Sequence, residues 1–241
     1  MLSDVSGLGP FFTVRTGAAE GADPSWRPFA ELETDGPALR ERVSYVRTAL
    51  GGEGKVEPRV AASIAFQGIA GVLVSPVYAA AVLHATIPML GPSELHWRPV
   101  AGGPLPMWAA PPRARAVADA GAAAAELAAL LDEHLTGMVA AVRAVVPVSP
   151  RVLWGNVASV VAGANRMVAT GRPDAALRAA DIAVRLLDAD LLAGTGDRLS
   201  PRDPDRYWTF RRRSCCLFYR VPGGGTCGDC ILTRATASTA D

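Results

Sequence analysis

The 241-residue chain predicts a mainly α fold of the α+β kind: a helical domain, one small β-hairpin or sheet element, and a C-terminal cysteine-rich metal-binding tail. Three observations predict it. Apolar residues recur at helical spacing through most of residues 36–193. One short stretch alternates instead. All four cysteines fall at 215–230. The expected organisation is an irregular N-terminal segment at 1–35, a helical body at 36–193 and a metal-binding segment at 194–241.

Residues 1–35 are rich in Gly, Pro and Thr and predict irregular structure. Asp35-Gly36-Pro37 opens a helix to about Leu50, with Leu39, Val43, Val46 and Leu50 at helical spacing, and Gly51-Gly52 ends it. Helices are expected next over 57–74 and 76–86, divided at Ser75-Pro76 because proline suits a first helical turn. Residues 60–93 contain no Asp, Glu, Lys or Arg, a run long enough to cross a bilayer. Gln67, Ser75-Pro76, His84 and Pro88 interrupt it, so two buried core helices are the expected reading. Peripheral association with the inner face of the cell membrane stays open.

Residues 94–100 alternate, and 105–109 are short and apolar. With Ala101-Gly102-Gly103-Pro104 between them they predict a hairpin. An alanine-rich helix is expected over 112–146, with Gly121 and Gly137 as points of bending. Ser149-Pro150 starts the next helix, which carries Trp154 and Asn156 and stops at Gly171. Those two residues do not share a helix face, and packing is the expected role of both. Residues 174–187 form an amphipathic helix with Leu177, Ile182, Val184 and Leu187 near one face. A Gly/Asp-rich link at 194–205 leads into the tail.

Composition excludes several functions. The formal net charge of +1 gives no global attraction to nucleic acid. Ser159 lacks a G-x-S-x-G context, and no nucleotide fingerprint is present. His84, His96 and His134 stand apart and receive no role. The N-terminus, with Asp4 and no basic or long apolar region, does not read as a secretory signal. The expected location is cytoplasmic, where thiols stay reduced.

The cysteines carry the chemistry. Cys215-Cys216, a ten-residue gap and Cys227-x-x-Cys230 bring four thiols into one short segment. Disulfides are disfavoured, because a chain with 50% hydrophobic residues builds its own core. Zinc takes four thiolates as two C-x(2–4)-C knuckles. Cys227 and Cys230 suit one knuckle, whereas adjacent cysteines chelate one ion awkwardly. A [2Fe–2S] centre needs two thiolates on each iron and tolerates this spacing better. Soft thiolates suit either metal, so both remain open on ligand type alone.

The segment Arg213-Ser214-Cys215-Cys216-Leu217-Phe218-Tyr219 with Cys227-Gly228-Asp229-Cys230 resembles the C-terminal signature of the FhuF-type ferric-siderophore reductases, C-C-x10-C-x2-C, without insertion or deletion. Leu153-Trp154-Gly155-Asn156-Val157-Ala158-Ser159, running into Ala162-Gly163-Ala164, resembles that family's helix upstream of the tail. The resemblance covers roughly residue 60 onward. It implies a [2Fe–2S] cluster on Cys215, Cys216, Cys227 and Cys230, which would be both its ligands and the redox-active catalytic site. It also implies one-electron reduction of iron(III) in siderophores. With no flavin or nicotinamide motif present, a separate donor is expected: a ferredoxin, a flavodoxin or an NAD(P)H-dependent reductase. The rival expectations are a helical interaction module stapled by structural zinc and an iron–sulfur sensor of redox or iron state.

Residues around the cysteines admit two uses. Arg211, Arg212, Arg213 and Arg220 would raise a cluster's potential or dock a donor or siderophore, or they form a solvated run. Tyr207, Trp208, Phe210, Phe218 and Tyr219 are expected to anchor the tail to the body. Gly223-Gly224-Gly225 lets backbone pass close to a cofactor.

Overall fold

The computed structural model describes residues 1–34, 36–51 and 55–233. Asp35 and Gly52, expected to flank the first long helix, lie outside them. The chain begins with α1 (Leu2–Val5), two 3-10 turns, β1 (Val14–Arg15), α2 (Ala18–Gly21), β2 (Arg27–Pro28) and a further 3-10 turn. These short pieces send Leu2, Val5, Phe12, Phe29 and Leu32 into the core. Then follow α3 (Pro37–Ala49), α4 (Pro58–His84), β3 (Thr86–Pro88), β4 (Leu95–Trp97), β5 (Met107–Ala109) and β6 (Ala114–Ala116). The second half holds α5 (Ala120–Val145), α6 (Pro150–Gly171), α7 (Ala176–Leu187), β7 (Gly196–Leu199) and β8 (Thr209–Arg212). The mainly α fold with small β elements is as expected.

α4 is the central element, with α3, α5, α6 and α7 packed around it and α6 along most of its length. Its residues explain this position. It has Arg59 near its start and no charge after it, and it is apolar on every side, so no face of it suits water. Small residues such as Ala61, Ala70 and Ala80 are fully buried and let neighbours approach closely. It is long and apolar enough to cross a membrane, and most of that stretch is buried inside the fold.

The expected division at Pro76 does not occur: α4 runs through it as one helix. Proline there removes the bond to the Val72 carbonyl and crowds the preceding turn, at about 3 kcal/mol. Burial of Val72, Leu73, Val74, Val77 and Tyr78 around it offsets that cost. The helix stops at Ala85 in a left-handed conformation (φ 48°).

The predicted hairpin is β4 against β5, with His96 opposite Trp108. Leu95, Trp97, Met107 and Ala109 point to the core, while His96 and Trp108 meet edge-on at 5.3 Å on the other face. β1 joins β5 in parallel and β2 joins β4, giving the order β1-β5-β4-β2. Two further ribbons correct the expectation of one sheet element: β3 with β6, and β7 with β8. Because β6 claims residues 114–116, α5 starts later than predicted, at Ala120, and the carboxylate of Asp119 before it caps the Ala122 N–H at 2.8 Å. Leu177, expected inward on α7, is 67% exposed, whereas Ile182, Ala183, Leu186 and Leu187 form the buried face.

α6 and α7 are tied to α4 by Tyr78, fully buried, whose hydroxyl donates to the Ala179 carbonyl at 2.6 Å. Tyr78→Phe should lower stability by about 1 kcal/mol, read as a lower urea midpoint at constant slope. An unchanged midpoint would contradict this tie.

Candidate metal centre

The tail is built on β8. β7 pairs with it antiparallel, Gly196 opposite Arg212. A Cβ on Gly196 would sit 2.2 Å from the Phe210 ring, so only glycine lets this ribbon close over Phe210. The Gly/Asp-rich link is therefore partly a strand. Beyond Arg212 the chain turns into Cys215-Cys216. Leu217 then adopts a left-handed conformation (φ 70°), costly for a residue with a Cβ. Its N–H meets the Cys215 sulfur at 3.3 Å, and the Phe218 N–H bonds the Cys216 sulfur. On the second loop the Leu232 N–H meets the Cys230 sulfur, also at 3.3 Å. The glycine run serves turn geometry: Gly223 has φ 71°, and a Cβ on Gly224 would lie 2.5 Å from the Phe218 carbonyl.

The fold brings the two cysteine pairs together. The Arg212 N–H bonds the Asp229 carbonyl at 3.0 Å, joining the strand before the first pair to the residue before Cys230. Cys216 and Cys227 approach to 3.7 Å, one from each sequence pair. That spacing is close to the edge of a tetrahedron with metal–sulfur bonds of about 2.3 Å. Cys216 and Cys230 are buried; Cys215 and Cys227 are half-buried. The hydrogen bond from Cys227 pulls the Cys216 thiol down to about 6 against its burial, with help from the Phe218 N–H and the Arg212 charge. Cys227 is pushed up because its proton is held by Cys216, and burial and Asp229 add to this. Burial raises Cys215, with repulsion from Cys216 and Cys230 adding to it. Cys216 is thus the more acidic thiol of the close pair.

A buried polar network fastens this tail to the helical body. Asn156 of α6, fully buried, accepts from Arg212 Nη2 and donates through Nδ2 to the carbonyl and hydroxyl of Ser63 on α4, at 2.9 and 3.0 Å. The Ser63 hydroxyl donates to the Cys216 carbonyl at 2.9 Å. Beside Asn156, a Cβ on Gly155 would lie 2.1 Å from Ser214 Oγ and 3.4 Å from Arg212 Nη2. Glycine here is what lets the tail lie on α6. A second clamp is Arg166 of α6, bonded through two nitrogens to Asp205 at 2.7 and 2.9 Å. Trp154 packs half-buried against the core, so packing suits Trp154, while Asn156 belongs to the site. Ser63, Arg166, Asp205 and Asp229 were not singled out from sequence. A serine and an asparagine inside apolar helices were the available signal.

The flanking residues divide. Arg213 pairs with Asp197 at 2.6 Å and Arg220 with Glu57 at 2.7 Å, both on the surface, whereas Arg212 is buried. Phe210 is a buried anchor, as expected of the aromatics, but Tyr207 and Tyr219 are exposed. Phe218 lines a cavity of about 560 Å³ with Phe11, Ile64 and Met167, and Cys216 and Cys227 also border it. His134, fully buried, contacts Glu33 Oε1 at 2.6 Å and the Leu90 carbonyl at 2.7 Å, far in sequence from any cysteine. His84 contacts Asp4 at 3.1 Å.

Two family models match the chain. One, the ferric iron reductase FhuF-like transporter, covers residues 66–199. The chain belongs to this family. The other, the FhuF 2Fe-2S C-terminal domain, covers residues 212–230 and therefore spans every cysteine. No curated protein matches the chain. Family membership supports a ferric iron reductase role in general, and the cofactor is a [2Fe–2S] cluster. The residues present suit it. Cys216 and Cys227 meet across the two pairs, backbone N–H groups point at three of the sulfurs, and Arg212 Nε and Nη1 and Asp229 Oδ2 are buried without a partner among the described residues. Among those residues no three His, Cys, Asp or Glu side chains gather around one ion.

Gly155→Leu should push Ser214 and Arg212 off α6. The expected result is loss of more than half the iron and sulfide per chain with far-UV circular dichroism unchanged. Full cluster content would show that the close approach is dispensable.

Proposed function

We propose that Cys215, Cys216, Cys227 and Cys230 hold the [2Fe–2S] cluster, and that the chain reduces iron(III) in siderophores, releasing ferrous iron in the cytoplasm. The bound cluster supplies one electron at a time, which matches the single electron that separates iron(III) from iron(II). Siderophores wrap iron(III) in hard oxygen donors that hold iron(II) far more weakly, so one electron releases the metal. A separate ferredoxin, flavodoxin or NAD(P)H-dependent reductase returns the electron.

The observation that carries this reading is the cavity bordered by Cys216 and Cys227. At about 560 Å³ it falls within the range of about 300–1,000 Å³ usual for small-molecule sites. Its walls are mostly apolar, and Phe11, Met167 and Phe218 are partly exposed at residues lining it. An oxygen-ligated iron complex seated there needs no intermediate carrier to reach the sulfurs. The residues have distinct tasks. Leu217 and Leu232 aim N–H groups at sulfur, Arg166 holds the loop of Asp205, and Gly68 and Gly163 leave the cavity open.

Replacing any one cysteine with serine should remove most of the cluster and the turnover. A serine variant with full cluster occupancy and activity would remove that residue from the ligand set. A Cβ on Gly68 or on Gly163 meets nothing within 4 Å, so larger side chains enter the cavity without clash at their base. Gly68→Phe and Gly163→Phe should keep full cluster and slow its oxidation by a ferric siderophore about tenfold or more, measured by stopped-flow absorbance with a ferrous trap. Unchanged rates would place the acceptor elsewhere.

A further inference from the structure

Arg212 is 1% exposed, and no acid pairs with it among the described residues. Its Nη2 donates to the neutral Asn156, while Nε and Nη1 have no partner there. The neighbouring Arg213 and Arg220 are each satisfied by a carboxylate at the surface. A guanidinium taken out of water without a counter-charge is strongly unfavourable, and chains retain one where an anion faces it. The groups beside it are those of the cysteine tail. Arg212 lies at the end of β8, three residues before Cys215, and its N–H holds the loop that ends in Cys230. Its charge acts on the Cys215 and Cys216 sulfurs.

We infer that Arg212 is a positioning residue that sets the reduction potential: its buried charge compensates the anionic four-sulfur site and favours the form carrying one more electron. The inference rests on the four-cysteine reading above. Reduction adds one negative charge next to a fixed positive one in a poorly screened interior, so the reduced form gains more. Asp229, which acts on Cys216 and Cys227, works in the opposite sense. Asn156 and Ser63 fix the guanidinium relative to the tail by linking it through α6 and α4 to the Cys216 carbonyl.

The test is a redox titration of the anaerobically purified chain and of Arg212→Gln, Arg212→Met and Arg212→Lys, with iron and sulfide measured on each sample. Both neutral variants should hold less reduced cluster at any fixed potential, by about tenfold, which is about 59 mV for one electron. Arg212→Lys should stay near wild type. Gln keeps a donor for Asn156, so it is the neutral variant expected to assemble if Met does not. A neutral variant with full iron and sulfide and an unshifted potential overturns the inference. Should neither neutral variant assemble a cluster, assembly in Arg212→Lys supports the charge, and failure in all three overturns it in favour of guanidinium geometry. A wild-type chain without iron and sulfide overturns the four-cysteine site, and this inference with it.

Discussion

The contact on which the site depends is the buried hydrogen bond between the Arg212 guanidinium and the Asn156 carboxamide. It joins the strand that launches the cysteines to the helix that runs along α4. Hydrogen bonds to a charged group contribute about 1.5–3 kcal/mol net, and more is lost when one partner stays buried alone. Asn156 can meet Arg212 only because Gly155 leaves room for Ser214, and because Ser63 occupies the other side of the carboxamide. α4 must therefore present a small hydroxyl at that depth, and α6 must bring a glycine and an asparagine to it in sequence. The helical body is, in this sense, a platform shaped to receive one arginine.

The tail itself spends backbone freedom on the sulfurs. Leu217 tolerates a left-handed conformation that glycine would adopt more easily, and in return the N–H groups of Leu217 and Phe218 face Cys215 and Cys216. Such N–H groups, together with buried charge, are the means by which a protein adjusts an iron–sulfur potential. Burial is uneven: Cys216 and Cys230 are buried and Cys215 and Cys227 half-buried, and Cys216 and Cys227 both border the open cavity. A ferric iron reductase needs both burial and access, since its electrons must stay off water yet reach the acceptor.

The cysteine spacing, the long helices and the β4–β5 hairpin were legible because each follows from a local rule. What escaped depends on distant partners. Pro76 ordinarily marks a helix start, and only the residues packed around α4 make an unbroken helix cheaper than a break. β3, β6 and β7 are three or four residues long, too short to show alternation, and their pairing is a tertiary fact. Leu177 fits an apolar stripe but falls outside the face that α7 buries. The arginines looked equivalent along the chain. Burial alone separates Arg212 from Arg213 and Arg220, and Ser63 gave no sign of standing 153 positions from its partner Cys216.

The most direct test of the central claim is anaerobic purification followed by iron, zinc and acid-labile sulfide analysis, with EPR after dithionite. The account predicts about two irons and two sulfides per chain, no stoichiometric zinc, and a half-spin signal on reduction. One zinc without sulfide from a native anaerobic preparation would contradict it.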